Sequence, residues 1–355
     1  MKTPTKRRDV APARAKGTAP LPPAAAAASE DSPKAPPPPP PPAGPRITVA
    51  ICTYDRYAYL VDSIASLARQ ELPAAEFEIV VVDNSPDPGR SAEEAAKYAQ
   101  IGNLIWHYEA TPGLSNARNV AMRMARAPLI AYLDDDAFAD PNWLVKLLEA
   151  YETLGEAAYG IGGRVRPRFL GERPEWLSDN LLGYLSVVEN GGDTRFLGAG
   201  EWVAGANVSY RVDKLREVGG FSPALGRIGS GISLMSNDET ELAERLEAAG
   251  GRIGYAPHAG VDHCVDPSRL HQEWFRRRIA WQAVSDYVRS PAVMRDGCEN
   301  RWRDVKVFLA HQPPHLRTLR ALTIEQASAG DLNWQMSSIY GALIALLSGL
   351  GERDD

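Results

Sequence analysis

The chain has 355 residues, 44% of them hydrophobic and 24% charged, a balance that suits a folded globular protein and excludes a disordered one. Of its 28 prolines, 14 lie within residues 1–46, where eight Lys/Arg face three Asp/Glu; with a net charge of −6 overall, the remainder carries −11. So acidic a body excludes general nucleic-acid binding, which needs a basic footprint.

Three cysteines, Cys52, Cys264 and Cys298, lack the C-x-x-C spacing of a zinc or redox site and fit a reducing compartment. MKTPTKRRDV looks like the basic start of a signal peptide, but Ala and Pro follow it rather than a continuous apolar helix. No run reaches the roughly 18 apolar residues of a membrane span. The expectation is a cytoplasmic protein that is neither exported nor inserted. PLPPAAAAASEDSPKAPPPPPPPAG, with seven prolines from Pro36 to Pro42, reads as a stiff, mobile arm over residues 1–45.

Order is expected to begin at RITVAICTYDR, where Ile47, Val49 and Ile51 alternate before Thr53. YLVDSIASLARQ fits a helix with Leu60, Ile64 and Leu67 on one side, and FEIVVVDNSPD is a β-branched run that stops at Asp83, Asn84 and Ser85. Strand, helix, strand, with polar residues gathered where strands finish, is the pattern of an open α/β sheet whose crevice lies at those carboxyl ends. NLIWHYEA predicts another strand and SNARNVAMRMARA another helix, entered through the turn at Pro112 and Gly113. APLIAYLDDDAFADPNWL then feeds a strand into Asp134, Asp135 and Asp136. If the two-residue period persists, Asp134 and Asp136 project the same way. Adjacent carboxylates repel and invite a hard divalent cation, Mg²⁺ or Mn²⁺; a solvated acidic turn or a cap at Asp140-Pro141 is the plainer alternative. Neither a G-x-G-x-x-G fingerprint nor a P-loop is present.

In the second half, GAGEWVAGANVSY sets glycines around Trp202 and Asn207, as in a loop where backbone meets ligand. SLMSNDETELAERLEAAGG starts with turn residues and becomes a helix carrying the Glu241/Arg245 pair and stopped by Gly250 and Gly251. Asp238 and Glu239 at its start also suit simple capping. GYAPHAGVDHC holds His258, Asp262 and His263. Beyond residue 290, WRDVKVFLAH, LRTLRALTIEQASAG and DLNWQMSSIYGALIALLSGL are compatible with helices; the last can pack on the preceding domain, pair two copies or touch a membrane, and its acidic end GERDD favours packing.

In this order, CTYDR, VVDNSPD, PGLSNARN and AYLDDD resemble the nucleotide-sugar half of glycosyltransferase family 2, which has the GT-A fold. WVAGANVSYRVDKLREVGGF, NDETELAERL and GYAPHAGVDHCVDPSR extend the resemblance over residues 46–290. It implies an α/β fold with a mixed central sheet and flanking helices, divided into a nucleotide half (46–136) and an acceptor half (137–290), with a helical extension over 291–355. It also implies inverting transfer from a UDP, GDP or dTDP sugar to a hydroxyl of a glycan, lipid-linked or other acceptor, with Mn²⁺ or Mg²⁺ as cofactor. Thr53 and Asp55 would then flank the nucleotide and Asp83 receive the base or ribose, unless Asp83 is a turn acceptor. Asp134 and Asp136 match the D-x-D pair, with Asp135 beside the nucleotide. Asp136 and His263 would hold metal, and Arg118 and Arg269 would attend sugar or diphosphate. Trp202, Asn207 and Trp274 would meet the acceptor, with Asn207 favoured over Trp202. Either Asp238 or Glu239 would be the general base. QEWFRRR is placed like the Q-x-x-R-W feature of processive members without matching it. Two other readings stay open: a nucleotidylyltransferase, which would carry a glycine-rich phosphate loop in place of CTYDR, and a noncatalytic carbohydrate-binding scaffold.

Overall fold

The computed structural model describes residues 44–229, 234–324 and 327–349; the proline-rich arm up to residue 43 and the acidic end GERDD lie outside them. Strand β1 (Ile47–Thr53) leads into helix α1 (Tyr57–Leu67), β2 (Phe77–Asp83), α2 (Pro88–Ala96), β3 (Leu104–Tyr108), α3 (Leu114–Met124) and β4 (Leu129–Asp134). β3, β2, β1 and β4 lie side by side and parallel, so their carboxyl ends share one edge, with Thr53 opposite Asp83 and Cys52 opposite Asp134. Alternation along the strands separates two cores. Ile47, Val49 and Ile51 pack with α1 and with α4 (Trp143–Leu154). Ala50, Val80 and Val82 pack with α3 and with α6 (Asp238–Ala248).

The sheet continues with β8 (Asn207–Arg211), antiparallel to β4, then β6 (Ala158–Phe169) and β9 (Arg252–Val265). Because β8 runs backwards, its first residue, Asn207, pairs with Leu133 and the loop before it opens onto the same edge as the parallel strands. β5 (Ala137–Ala139) and β7 (Arg195–Phe196) pair with β9, and α5 (Val212–Glu217) follows β8. Close approach explains a glycine in β6: a Cβ at Gly163 would lie 2.0 Å from the Ala259 carbonyl and 2.3 Å from the Asn207 amide nitrogen.

β4 stops at Asp134, so the aspartate triplet does not continue the pleat as expected. The chain turns at Asp135–Asp136 and re-enters the sheet as β5, where pairing with β9 replaces pairing with β8.

The C-terminal helices are α7 (Gln272–Arg289), α8 (Pro291–Arg295), α9 (Cys298–Ala310) and α10 (Ala329–Leu347). Phe275 and Ile279 of α7 pack against Leu332 and Met336 of α10, against Leu177, and against Leu181 and Leu185 of a 3₁₀ segment, Asp179–Leu185. The helix expected from LRTLRALTIEQASAG is instead short 3₁₀ turns, Pro314–Leu316 and Leu319–Thr323, before α10 begins. Pro313 and Pro314 lack amide donors, and Thr318, Thr323 and Ile324 are β-branched, so a continuous α-helix is poorly supported there.

Candidate active site

A cleft of about 1050 Å³ lies along the carboxyl edge of the parallel strands, closed on its far side by the β8 entry loop and α7. Thr53, Asp55, Arg118, Asp134, Asp135, Asp238, Glu239, Arg269, Trp202 and Trp274 all line it.

One wall is the aspartate turn. Ligand atoms of Asp134, Asp136 and His263 come within 4.8 Å of one another, and His263 Nε2 lies 3.2 Å from Asp136 Oδ1. β9 makes this meeting: Ala137 pairs with His263, and the Cys264 amide donates to the Asp136 carbonyl at 2.9 Å. Two carboxylates and an imidazole are a hard, mixed O/N set that suits Mn²⁺ or Mg²⁺. The buried His263 Nδ1 has no hydrogen-bond partner among the described residues. Arg56 spans the turn, donating to Asp135 at 2.9 Å and Asp136 at 2.5 Å, and Arg269 stands 3.7 Å from Asp136. Burial alone would raise the Asp136 pKa, but His263, Arg56 and Arg269 outweigh it and hold this carboxyl well below the usual range. Burial pushes Asp135 up to about 7, against Arg56.

The opposite wall is the start of α6. Asn237 adopts a left-handed conformation (φ 72°), tolerable for asparagine, and its amide donates to Asp286 at 2.7 Å. That turn throws Asp238 and Glu239 into the cleft. Arg118, buried, reaches both from α3, at 2.5 Å and 2.9 Å, and its other nitrogen is 3.6 Å from Asp134. One guanidinium therefore ties the acidic pair to the aspartate turn. Burial and the neighbouring Glu239 raise Asp238 to about 7 despite Arg118. Burial pushes Glu239 upward too, but Arg118 and a hydrogen bond from Asp238 hold it below its ordinary value. Of the two, burial therefore favours the protonated form at Asp238, while Arg118 favours the ionised form at Glu239. The Glu239 side chain keeps 18% of its surface open, against 4% for Asp238.

The remaining expected residues divide. Thr53 donates to Asp135 at 2.8 Å, and Asp55, with φ 54°, pairs with Arg90 at the cleft rim. Asp83 is fully buried at the end of β2 and accepts from Tyr57 at 2.8 Å and from the Ser85 amide and hydroxyl, which is the geometry of a turn acceptor. Asn207 does not line the cleft. Its Oδ1 accepts from Trp143 and its Nδ2 donates to the Arg164 and Ala259 carbonyls, so both its donor hydrogens are spent inside the protein. The preference for Asn207 over Trp202 is therefore reversed: Trp202 lines the cleft, 39% exposed. Trp274 sits edge-on to Phe275 at 5.1 Å. His258 is exposed and Asp262 pairs with Arg166, away from the metal-ligand cluster.

Sequence reasoning missed Arg56, although CTYDR contains it, and Gly205, hidden in WVAGAN. It also missed Arg227 and Arg278, which line the cleft without a carboxylate within 4.0 Å among the described residues. Among the described residues Arg278 donates only to Gln282 and Ser236, and burial with Arg227 nearby lowers it to about 10. The Cys52 thiol is pushed up to about 12, chiefly by burial, and is no nucleophile at neutral pH.

The model of glycosyl transferase family 2 matches residues 48–209, from β1 through the aspartate turn to β8. Over those residues the chain is similar to glycosyl transferase family 2. Glucosyl-dolichyl phosphate glucuronosyltransferase of Haloferax volcanii is 26% identical over 68% of this chain and 77% of its own length. Succinoglycan biosynthesis protein ExoM of Rhizobium meliloti is 27% identical over 65% and 71%. Mannosyltransferase PcManGT of Pyrobaculum calidifontis, solved with GDP-Man and Mn²⁺, shares the fold with a TM-score of 0.56 at 18% identity over 88% of each chain. The protein is an inverting nucleotide-sugar glycosyltransferase assisted by a divalent cation. No helix among the described residues is long and apolar enough to cross a membrane.

Proposed function

We propose that the general base of this glycosyltransferase is Glu239, acting on a hydroxyl of a glycan or lipid-linked glycan. The observation that carries this reading is the Arg118 bridge, which holds Glu239 ionised and partly open at 2.9 Å while reaching 3.6 Å toward Asp134. Asp238 is the enclosed partner, its carboxyl pushed toward the protonated form by burial and by Glu239, and it positions that residue.

Asp134, Asp136 and His263 would hold the cation, which supplies charge neutralisation on the diphosphate leaving group. Arg269 and Arg227, at the same end of the cleft, offer further positive charge to those oxygens. Glu239 takes the proton of the attacking hydroxyl as its oxygen bonds the anomeric carbon, the nucleoside diphosphate leaves from the opposite face, and the configuration inverts. Thr53, Asp55 and Asn84 border the nucleotide end, with Asp83 stiffening the strand end beneath them. Trp202 and Trp274 offer aromatic faces on the acceptor side. The names of the relatives, a dolichyl phosphate enzyme and a succinoglycan enzyme, support a lipid-linked or polysaccharide acceptor. Three free cysteines support a reducing, cytoplasmic setting.

Glu239→Gln keeps size and removes basicity. Expected is a fall in transfer of at least about 100-fold with nucleotide binding retained. A Glu239→Gln enzyme transferring at the normal rate would move the base elsewhere.

A further inference from the structure

A second cavity, of about 1020 Å³, lies between α7, α9, α10 and the 3₁₀ segment, and four residues of its wall, Asn180, Tyr184, Gln282 and Asp286, also line the catalytic cleft. The two spaces therefore adjoin along these side chains. Gln282 and Asp286 are spent in the network that positions Asn237, with Asp286 also taking the Tyr340 hydroxyl at 2.9 Å. Further out the wall changes character. Asn333 and Asp304 make no hydrogen bond among the described residues. Beside them Trp334 is 60% exposed and stacks on Phe308, with ring centroids 6.4 Å apart and planes 15° apart.

An aromatic face next to a free planar amide and a free carboxylate matches a sugar ring, with C–H groups on one face and hydroxyls around the rim that both donate and accept. An acyl chain would strip water from Asn333 and Asp304 and return nothing to them. Two carboxylates, Asp286 and Asp304, against one guanidinium, Arg301, give no surplus of positive charge for a phosphate.

We propose that this cavity is an acceptor subsite that holds the sugar residues of a neutral, hydroxyl-rich oligosaccharide distal to the attacking hydroxyl. The inference rests on the glycosyltransferase reading above and names the acceptor's class. The test uses the full chain with Mn²⁺ and UDP or GDP, on an array of neutral hexose and N-acetylhexosamine oligosaccharides from two to six residues. Expected is binding that tightens with length and weakens roughly tenfold or more in Trp334→Ala and in Asn333→Ala, while calorimetry shows unchanged nucleotide affinity. Absence of any oligosaccharide binding, or binding that both variants keep, overturns the subsite. Binding to phosphatidylglycerol vesicles that Trp334→Ala abolishes also overturns it, assigning the exposed aromatic pair to a lipid surface. Failure to bind any nucleotide with Mn²⁺ would instead indict the underlying reading, because the donor site does not include these residues.

Discussion

Gly205 is where one methyl group should separate binding from chemistry. An alanine Cβ there would lie 1.9 Å from Glu239 Oε1 and 2.1 Å from Arg118 Nη2, with Arg118 Cζ at 2.9 Å. Non-bonded heavy atoms settle at about 3.5 Å, so the carboxylate and guanidinium must each retreat by roughly 1.5 Å. Arg118 has little room: only 3% of its side chain is open, Asp238 grips it at 2.5 Å, and Phe221 lies 5.3 Å from it, ring centroid to guanidinium. Glu239 is the group that yields. The backbone at Gly205 is not left-handed, so alanine adds no conformational strain and the effect is steric. Misplacing a catalytic group by about 1 Å costs about 100-fold, and at about 1.4 kcal/mol per tenfold that is close to 3 kcal/mol on the barrier. The assay pairs the transfer rate at saturating donor with calorimetric titration of nucleotide and Mn²⁺. Expected for Gly205→Ala is a rate loss of about 100-fold with nucleotide affinity kept, whereas Gly192→Ala, with nothing within 4 Å of its added carbon, behaves as wild type. A folded Gly205→Ala enzyme with the wild-type rate would refute the placement of Glu239.

Metal dependence should localise to the aspartate turn: Asp136→Ala or His263→Ala abolishes the Mn²⁺ enhancement of UDP, GDP or dTDP binding, and calorimetry that still shows full enhancement in both variants would remove the proposed cation site. Arg118→Met leaves a buried carboxyl, Asp238, and a half-buried one, Glu239, without their cation, so unfolding stability should drop by about 3–5 kcal/mol, read by urea denaturation; a drop under about 1 kcal/mol would mean the cluster is far better solvated than it looks. The raised Asp238 pKa, about 7, means the folded protein holds a proton that the unfolded chain, near 3.9, has released. Stability from this group is therefore full below about pH 4 and declines as pH rises toward 7, and Asp238→Asn should flatten that decline; parallel stability–pH curves for the two proteins would contradict the shift. The proline-rich arm precedes the first strand, so removing residues 1–43 should leave transfer with a small acceptor intact, and loss of transfer in a folded, nucleotide-binding form would place the arm at the active site.

The nucleotide half was legible because its information is local. Ile47, Val49 and Ile51 alternate and stop at Thr53, the run before Asp83 does the same, and parallel strands necessarily bring such ends to one edge. The aspartate triplet, the acidic pair and the helix after it could likewise be read from a few residues each. Partnership could not. Asp136 meets His263 only because the chain turns off β4 into β5 and pairs with β9, a strand that the glycine-rich GYAPHAGVDHC barely announces. Arg118 and Glu239 are 121 residues apart, and whether that arginine faces a phosphate or a carboxylate depends on where α3 and α6 pack against the sheet. Asn207 shows the opposite failure: its motif drew it toward the ligand, while its strand position buried its amide among Trp143, Arg164 and Ala259. Periodicity and strand ends are properties of neighbouring residues, so the sequence alone determined the sheet edge and the chemical stock of the site. Which charge neutralises which, and which polar atom is already spent, is settled by contacts between distant segments, and those only tertiary packing decided.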